Sequence, residues 1–173
     1  MKTLTTIAAK FAFLLAVTLL VLNTATAQNK KKDRQAKKAD EIQQLINGKT
    51  YVFKPSYMTP LRGPGRELTS DFDMTVNKDS LVSYLPYFGR AYMAPMDPTK
   101  NPFEFTSTKF GYDAVQQKSG GWEIAITTKD NRDIQKMYLS VSSDGYATLH
   151  VTAYNQDPIA YDGYIEAMPK KKS

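Results

Sequence analysis

Few residues in this sequence could carry out acid-base or metal chemistry, and they do not form a recognisable catalytic set. His150 is the single histidine, and no cysteine occurs. A Ser-His-Asp mechanism needs a histidine that titrates near neutral pH, but the alternating segment 147–152 predicts that the ring of His150 points outward. Zinc sites built from several His or Cys residues are excluded. No glycine-rich phosphate loop or complete calcium loop is present. We therefore assign no catalytic residue, metal ligand or cofactor.

Asp71 and Asp73 are two carboxylates whose spacing would suit a glycoside hydrolase. Two residues apart on a predicted strand, they would share one face. If the apolar residues Phe72, Met74 and Val76 point inward, both carboxylates face solvent. The pattern favours an ordinary polar outer face, and a carboxylate-based hydrolase is the least favoured function.

The stretch with the most distinctive composition is 84–96, Tyr-Leu-Pro-Tyr-Phe-Gly-Arg-Ala-Tyr-Met-Ala-Pro-Met. It is unusually apolar for a solvent loop, and its length is typical of lids and binding loops. In one interpretation its aromatic residues line the mouth of a cavity, and Arg90 binds an anionic head group or a partner carboxylate. In the other, the segment fills the end of the sheet and Arg90 pairs with a buried acid. Small barrels are usually filled by their own side chains, which favours filling. The candidate ligand-binding residues are Tyr84, Tyr87, Phe88, Arg90, Tyr92 and Met93.

The elements that must position this segment are mostly β-strands. Residues 30–47 predict one helix with a narrow apolar stripe, and Gly48 is expected to end it in the left-handed conformation. From Tyr51 onward, apolar and polar residues alternate in short runs separated by turns, and Asp144-Gly145 is typical of a tight hairpin. No helical pattern lies between the strands. The sequence therefore predicts a mainly β fold, an antiparallel curved sheet or small lipocalin-like barrel of about seven to nine strands with one N-terminal helix.

Residues 1–27 have the form of a cleavable signal peptide, with two lysines, an apolar run over 11–22 and Ala25-Thr26-Ala27 before the expected cleavage site. The apolar run is short against the about 20 residues that a spanning helix needs. We expect a periplasmic or secreted protein with no membrane span after cleavage. The expected organisation is a basic segment over 28–39, a single β-rich domain over 40–167 and a basic tail over 168–173.

The formal charge of +6 is concentrated at the ends of the chain. Two basic residues lie in the signal peptide, six in 28–39 and three in 170–172, so 12 of the 23 remain in 40–169, against 16 of the 17 acidic residues. The body therefore carries a net charge of −4. Nucleic-acid binding normally needs a basic face on the fold, and we expect none.

An ordered set of motifs resembles the exported bacterial family known as domain of unknown function 4251. Its most specific piece is Leu85-Pro-Tyr-Phe-Gly-Arg-Ala-Tyr92, and the set covers nearly all of 40–167. The other pieces are Tyr51-Val-Phe53, Pro60, Gly63, Leu68-Thr-Ser-Asp71, Gly121-Trp122, Asp144-Gly145 and Pro158-Ile-Ala-Tyr161-Asp-Gly163. The resemblance implies a secreted or periplasmic domain from Gram-negative bacteria of the Bacteroidetes type. It implies no assigned activity and no catalytic residues.

Two functional hypotheses precede the hydrolase. The leading one is a non-enzymatic exported binding protein for a small apolar ligand, a lipid or a peptide. The alternative is a protein-interaction or inhibitor module that binds an envelope protein through the aromatic loop 84–96.

Overall fold

The structure is a computed structural model, and it describes residues 30–92 and 101–169. The predicted signal peptide, Met93 and residues 170–173 of the basic tail lie outside the described residues. The chain divides into two units, Met1–Lys37 and Lys38–Ser173. The described part of the first is helical throughout, and the second contains all the strands named below. Across the described residues, no helix is both long and apolar enough to cross a membrane.

Helix α1 covers residues 30–48 of the described chain. The strands that follow it are β1 (Tyr51–Pro60), β2 (Arg66–Glu67), β3 (Asp73–Val76), β4 (Leu81–Tyr84), β5 (Glu104–Ser107), β6 (Phe110–Gln116), β7 (Trp122–Thr128), β8 (Ile134–Val141), β9 (Tyr146–Ala153) and β10 (Ile159–Ala167).

Nine of these strands follow one another around a single antiparallel sheet in the order β5-β4-β3-β1-β10-β9-β8-β7-β6, and the short β2 pairs with β1 outside this path. The edge strands β5 and β6 are separated in sequence by only Thr108 and Lys109. The sheet therefore curls back on itself into a nearly closed nine-stranded antiparallel barrel with one N-terminal helix. This confirms the predicted fold class.

The short connection between β5 and β6 is held by one side chain from the β7–β8 turn. The carboxylate of Asp130 accepts hydrogen bonds from the Ser107 hydroxyl and from the backbone N–H groups of Thr108, at 2.9 Å, and Lys109, at 3.1 Å. The bond from Ser107 contributes most to lowering the pKa of Asp130 below its usual value. Charge-assisted hydrogen bonds thus fix the end of β5 and the β5–β6 connection to the β7–β8 turn.

The core is formed by alternate residues of the strands and by one face of α1. On β9, for example, Ala147, Leu149, Val151 and Ala153 are buried, and the residues between them are half-buried or exposed. Ile42 and Ile46 of α1 are fully buried in the same core. Because burying one isoleucine side chain stabilises a fold by about 1.5–3 kcal/mol, these two contacts hold the end of α1 on the barrel.

The end of α1 differs in one detail from the prediction. Lys49, with φ of 50°, adopts the left-handed conformation that we expected at Gly48. The N–H of Lys49 donates to Ile46 O at 3.2 Å and the N–H of Thr50 donates to Leu45 O at 3.1 Å, which is the Schellman pattern. The Lys49 ammonium lies 4.9 Å from the Tyr112 ring centroid. This cation-π contact holds the Lys49 side chain against β6.

The Asp144-Gly145 hairpin is confirmed between β8 and β9. Gly145 has φ of 93°, and its N–H donates to Ser142 O at 3.1 Å. The positive φ favours glycine here, and a Cβ at this position would also lie 2.9 Å from Ile42 Cδ1 of α1.

Strand β1 contains a β-bulge opposite Gly163. The register with β10 shifts between Pro55 and Tyr57, which leaves Ser56 as the additional residue. The backbone is so close there that a Cβ on Gly163 would lie 2.0 Å from Lys54 O. Proline is tolerated at a bulge because the ladder is already interrupted, which explains how a ten-residue strand accommodates Pro55.

Candidate functional site

The aromatic segment begins where β4 ends, and its first residues turn into the barrel. Leu85 and Pro86 are buried. The hydroxyl of Tyr161, on β10, donates to Pro86 O at 2.7 Å. Burial raises the pKa of Tyr161 above its usual value, so this hydroxyl stays protonated as a donor. The start of the segment is therefore anchored to the barrel interior.

Tyr87 continues this inward packing. Its ring stacks on Phe103 with centroids 4.7 Å apart and an interplanar angle of 9°. Its hydroxyl lies 2.9 Å from Arg90 O and 3.1 Å from Asp157 O, both of which can accept its proton. Burial is the largest cause that raises the pKa of Tyr87 to about 12. Tyr87 thus fills space and fixes the backbone of its own loop.

A second set of contacts joins the segment to the chain that follows β9. The N–H of Asp157 donates to Arg90 O at 2.9 Å, and the N–H of Tyr92 donates to Asn155 O at 2.9 Å. Between them, Ala91 and Gln156 form an antiparallel bridge. Residues 90–92 of the segment are therefore hydrogen-bonded through their backbone to a distant part of the chain.

A buried carboxylate lies beneath these contacts. Asp157 is 1% exposed, and the Tyr92 hydroxyl donates to its Oδ1. That hydrogen bond is the largest cause that raises the pKa of Tyr92. Arg62 Nε lies 4.0 Å from Asp157 Oδ2, an oxygen that accepts no hydrogen bond among the described residues. The filling interpretation expected Arg90 to pair with a buried acid, but Arg62 is the residue in the ion pair with Asp157 in the described chain.

The remaining aromatic side chains of the segment point outward. Tyr84 is 47% exposed, Phe88 52% and Tyr92 60%. The Arg66 guanidinium lies 5.3 Å from the Phe88 ring centroid, a cation-π contact. Arg90 is exposed and uses its backbone carbonyl for the contacts above. We call the surface formed by Tyr84, Phe88, Arg90, Tyr92, Arg62 and Arg66 the aromatic end of the barrel.

The predicted site residues thus separate into two groups. Tyr87 is part of the packing that closes this end of the barrel, whereas Tyr84, Phe88, Arg90 and Tyr92 belong to the exposed surface. Met93 lies outside the described residues. Sequence reasoning missed Arg62, Arg66 and Asp157. No periodicity or short motif connects these residues to the segment.

The residues considered for catalysis do not come together. His150 is exposed on the outer face of β9, as predicted. Strand β3 begins at Asp73, so the expectation that Asp71 and Asp73 share a strand face is wrong. Phe72 also precedes the strand, and its half-buried ring lies 5.5 Å from that of Tyr84. Asp73 binds Lys54 Nζ at 3.2 Å. Within 30–92 and 101–169, no cluster of three or more His, Cys, Asp or Glu side chains could hold a metal ion.

Comparisons with known proteins give a family for this chain and a solved structure of similar fold. A comparison with curated proteins found no significant match. The crystal structure of a DUF4251 family protein from Bacteroides eggerthii DSM 20697 is similar to this fold, with a TM-score of 0.55 and 14% sequence identity, over 77% of this chain and 91% of that chain. The sequence profile described as "Domain of unknown function (DUF4251)" matches residues 33–165. This chain therefore belongs to the DUF4251 family.

Proposed function

We propose that this protein is an exported, non-enzymatic binding protein that holds an acidic peptide segment of a partner protein at the aromatic end. One observation carries the proposal. The backbone of 85–92 is tied to β10 and to residues 155–157, yet the rings of Phe88 and Tyr92 remain more than half exposed. Export rests on the signal-peptide form of residues 1–27.

Fixed, exposed aromatic rings are well suited to binding. Exposed apolar side chains have an unfavourable hydration free energy. A partner that covers them removes this cost, and binding is stabilised by that amount. Because the segment is already ordered, binding loses little further conformational entropy. Tyrosine and arginine are also the residue types that contribute most at protein interfaces.

The charges at this end favour an acidic partner. Arg62, Arg66 and Arg90 lie around Phe88 and Tyr92, while the body over 40–169 has a net charge of −4. Asp157 compensates Arg62 only in part, since the ion pair is 4.0 Å long. Guanidinium groups bind carboxylates through two parallel hydrogen bonds. A peptide that carries Asp or Glu beside an apolar residue would complement the surface.

A lipid or small apolar ligand inside the barrel has less support. Interior positions are occupied by fully buried side chains such as Phe53, Met58 and Tyr161. At the aromatic end, Tyr87 stacks on Phe103 and closes the described part of the entrance. An interior ligand would have to displace these groups, and filled interiors are the norm for small barrels.

Peptide display with purified protein tests the proposal. We expect selected peptides to be rich in Asp and Glu and to bind more weakly as salt increases. Phe88→Ala and Arg66→Ala should each weaken binding by about tenfold, which corresponds to about 1.4 kcal/mol. Tyr146→Ala is the matched control, because Tyr146 is an aromatic residue that is 69% exposed at the end of β9 remote from residues 155–157. Failure to select any acidic peptide, or equal loss in the control, would contradict the proposal.

A further inference from the structure

A second open site lies on the outer wall of the barrel, across β8, β9, β10 and the bulge of β1. It is a groove of about 410 Å³, within the size range of small-ligand sites. Its polar side chains include Ser56, Ser140, Thr148 and Asp162, and its aromatic side chains are Tyr146 and Tyr164. It shares no residue with the aromatic end.

The hydroxyl groups of Ser56, Ser140 and Thr148 form a row with Asp162 and have already committed their protons to the protein. Ser140 Oγ donates to Glu123 Oε1 at 2.8 Å, and Thr148 Oγ1 donates to Asp162 Oδ1 at 2.7 Å. Ser56 Oγ donates to Asp162 O at 3.2 Å. Each hydroxyl oxygen keeps an acceptor lone pair. This row therefore presents acceptors, and a matching ligand must supply hydrogen-bond donors to it.

These acceptors are too widely spread for one cationic group. They come from four neighbouring strands, which lie about 4.8 Å apart, so the row extends over about 14 Å. Among the described residues that line the groove, Asp162 is the one charged side chain. The charge of the groove thus disfavours phosphate, nucleic acid and acidic peptides, and its breadth favours a neutral molecule with many hydroxyl groups.

The two tyrosines complete the match. Tyr146 and Tyr164 are directly opposite each other on β9 and β10 and are 69% and 44% exposed. Opposite residues have Cβ atoms about 5 Å apart, so the two side chains form one aromatic surface at the edge of the polar row. The negative face of an aromatic ring attracts the weakly positive C–H groups on one face of a sugar.

We propose that this groove binds a neutral oligosaccharide, with sugar hydroxyls donating to Asp162, Thr148 and Ser140 and a sugar ring packed on Tyr146 and Tyr164. The site goes beyond the peptide surface proposed above, and either can exist without the other. Gly163 supports it indirectly, because the lack of a side chain there permits the β1 bulge that brings Ser56 to the groove.

A glycan array probed with purified protein tests this site. The array carries neutral and acidic oligosaccharides, and the variants are Tyr164→Ala, Asp162→Asn and the control Tyr154→Ala. Loss of a stacking ring or of a hydrogen bond to a charged acceptor should weaken binding of a neutral glycan by about tenfold or more. We expect Tyr154→Ala to bind as the wild type does. Trp122 fluorescence verifies that each variant is folded, since this single tryptophan is only 7% exposed.

Nuclear magnetic resonance then locates the ligand. A bound neutral trisaccharide should shift the amides of 140–148 and 162–164 and leave those of 84–92 unchanged. The same spectra are recorded with trilysine in place of the glycan and at several protein concentrations. The proposal is wrong if no neutral glycan binds, or if the groove amides shift only with trilysine or only with protein concentration. Those last outcomes would identify a cationic ligand or a second copy as the occupant. Loss of peptide binding in Phe88→Ala bears only on the aromatic end, so the two proposals fail separately.

Discussion

Replacement of Tyr161 by phenylalanine removes one hydroxyl and tests how the aromatic segment is anchored. The hydroxyl donates to Pro86 O at 2.7 Å in a buried environment. Phenylalanine keeps the ring, so the main effect is a buried carbonyl without its donor, which costs about 1–3 kcal/mol. For a domain of this size that corresponds to a decrease in melting temperature of about 4–11 °C.

Urea unfolding followed by Trp122 fluorescence measures this effect. Tyr164→Phe is the matched control, because Tyr164 lies on the same strand with its side chain on the outer face. We expect the control to change the unfolding free energy by less than about 0.5 kcal/mol. The Leu85 N–H, which donates to Phe103 O at 3.4 Å, should exchange faster in Tyr161→Phe. Equal stability of the two variants would refute the anchoring of Pro86 by Tyr161.

Three further predictions concern other parts of the barrel. The pKa of Tyr87 is raised to about 12 from about 10 in an unfolded chain, so the stability that its protonated hydroxyl contributes is complete below pH 10 and is lost as pH rises towards 12. Tyr87→Phe should therefore reduce the loss of unfolding free energy at alkaline pH, measured by urea unfolding. An unchanged pH profile would contradict this prediction. Gly163→Ala places a Cβ 2.0 Å from Lys54 O and should lower the unfolding free energy by about 1–3 kcal/mol; a neutral effect in calorimetry would rule out the close approach. Asp130→Ala should accelerate hydrogen exchange of the Thr108 amide, because it removes the acceptor of that N–H. Unchanged exchange would show that Asp130 does not fix the β5–β6 connection.

Most of the fold could be predicted because it follows from local patterns. The alternation of apolar residues after Tyr51 and the Asp144-Gly145 turn are local signals. The strands and the hairpin lie where these signals predicted them. The bulge at Ser56 and its contact with Gly163 were missed. Both depend on the register between β1 and β10, whose paired residues are 99 to 116 positions apart. A single sequence carries no local signal for that pairing.

The candidate site was predicted in composition but not in arrangement. The apolar character of 84–92 identified the segment, but adjacent residues differ in their burial. Tyr87 stacks on Phe103, whereas Phe88 is exposed. The hydrogen bonds of Tyr87 to Asp157 and of Asp157 to Arg90 determine this separation. These contacts join residues about 70 positions apart, and no motif in either segment indicates them.

Photocrosslinking at the aromatic end tests the central claim most directly. One variant, made in the producing bacterium, carries a photoreactive phenylalanine analogue in place of Phe88. A control variant carries it in place of Tyr146, which is 69% exposed at the opposite end of β9. We predict a single crosslinked partner from position 88, with a crosslink that acidic peptides compete away and that Arg66→Ala weakens. The same partner captured from position 146, or no crosslink from position 88, would contradict the account.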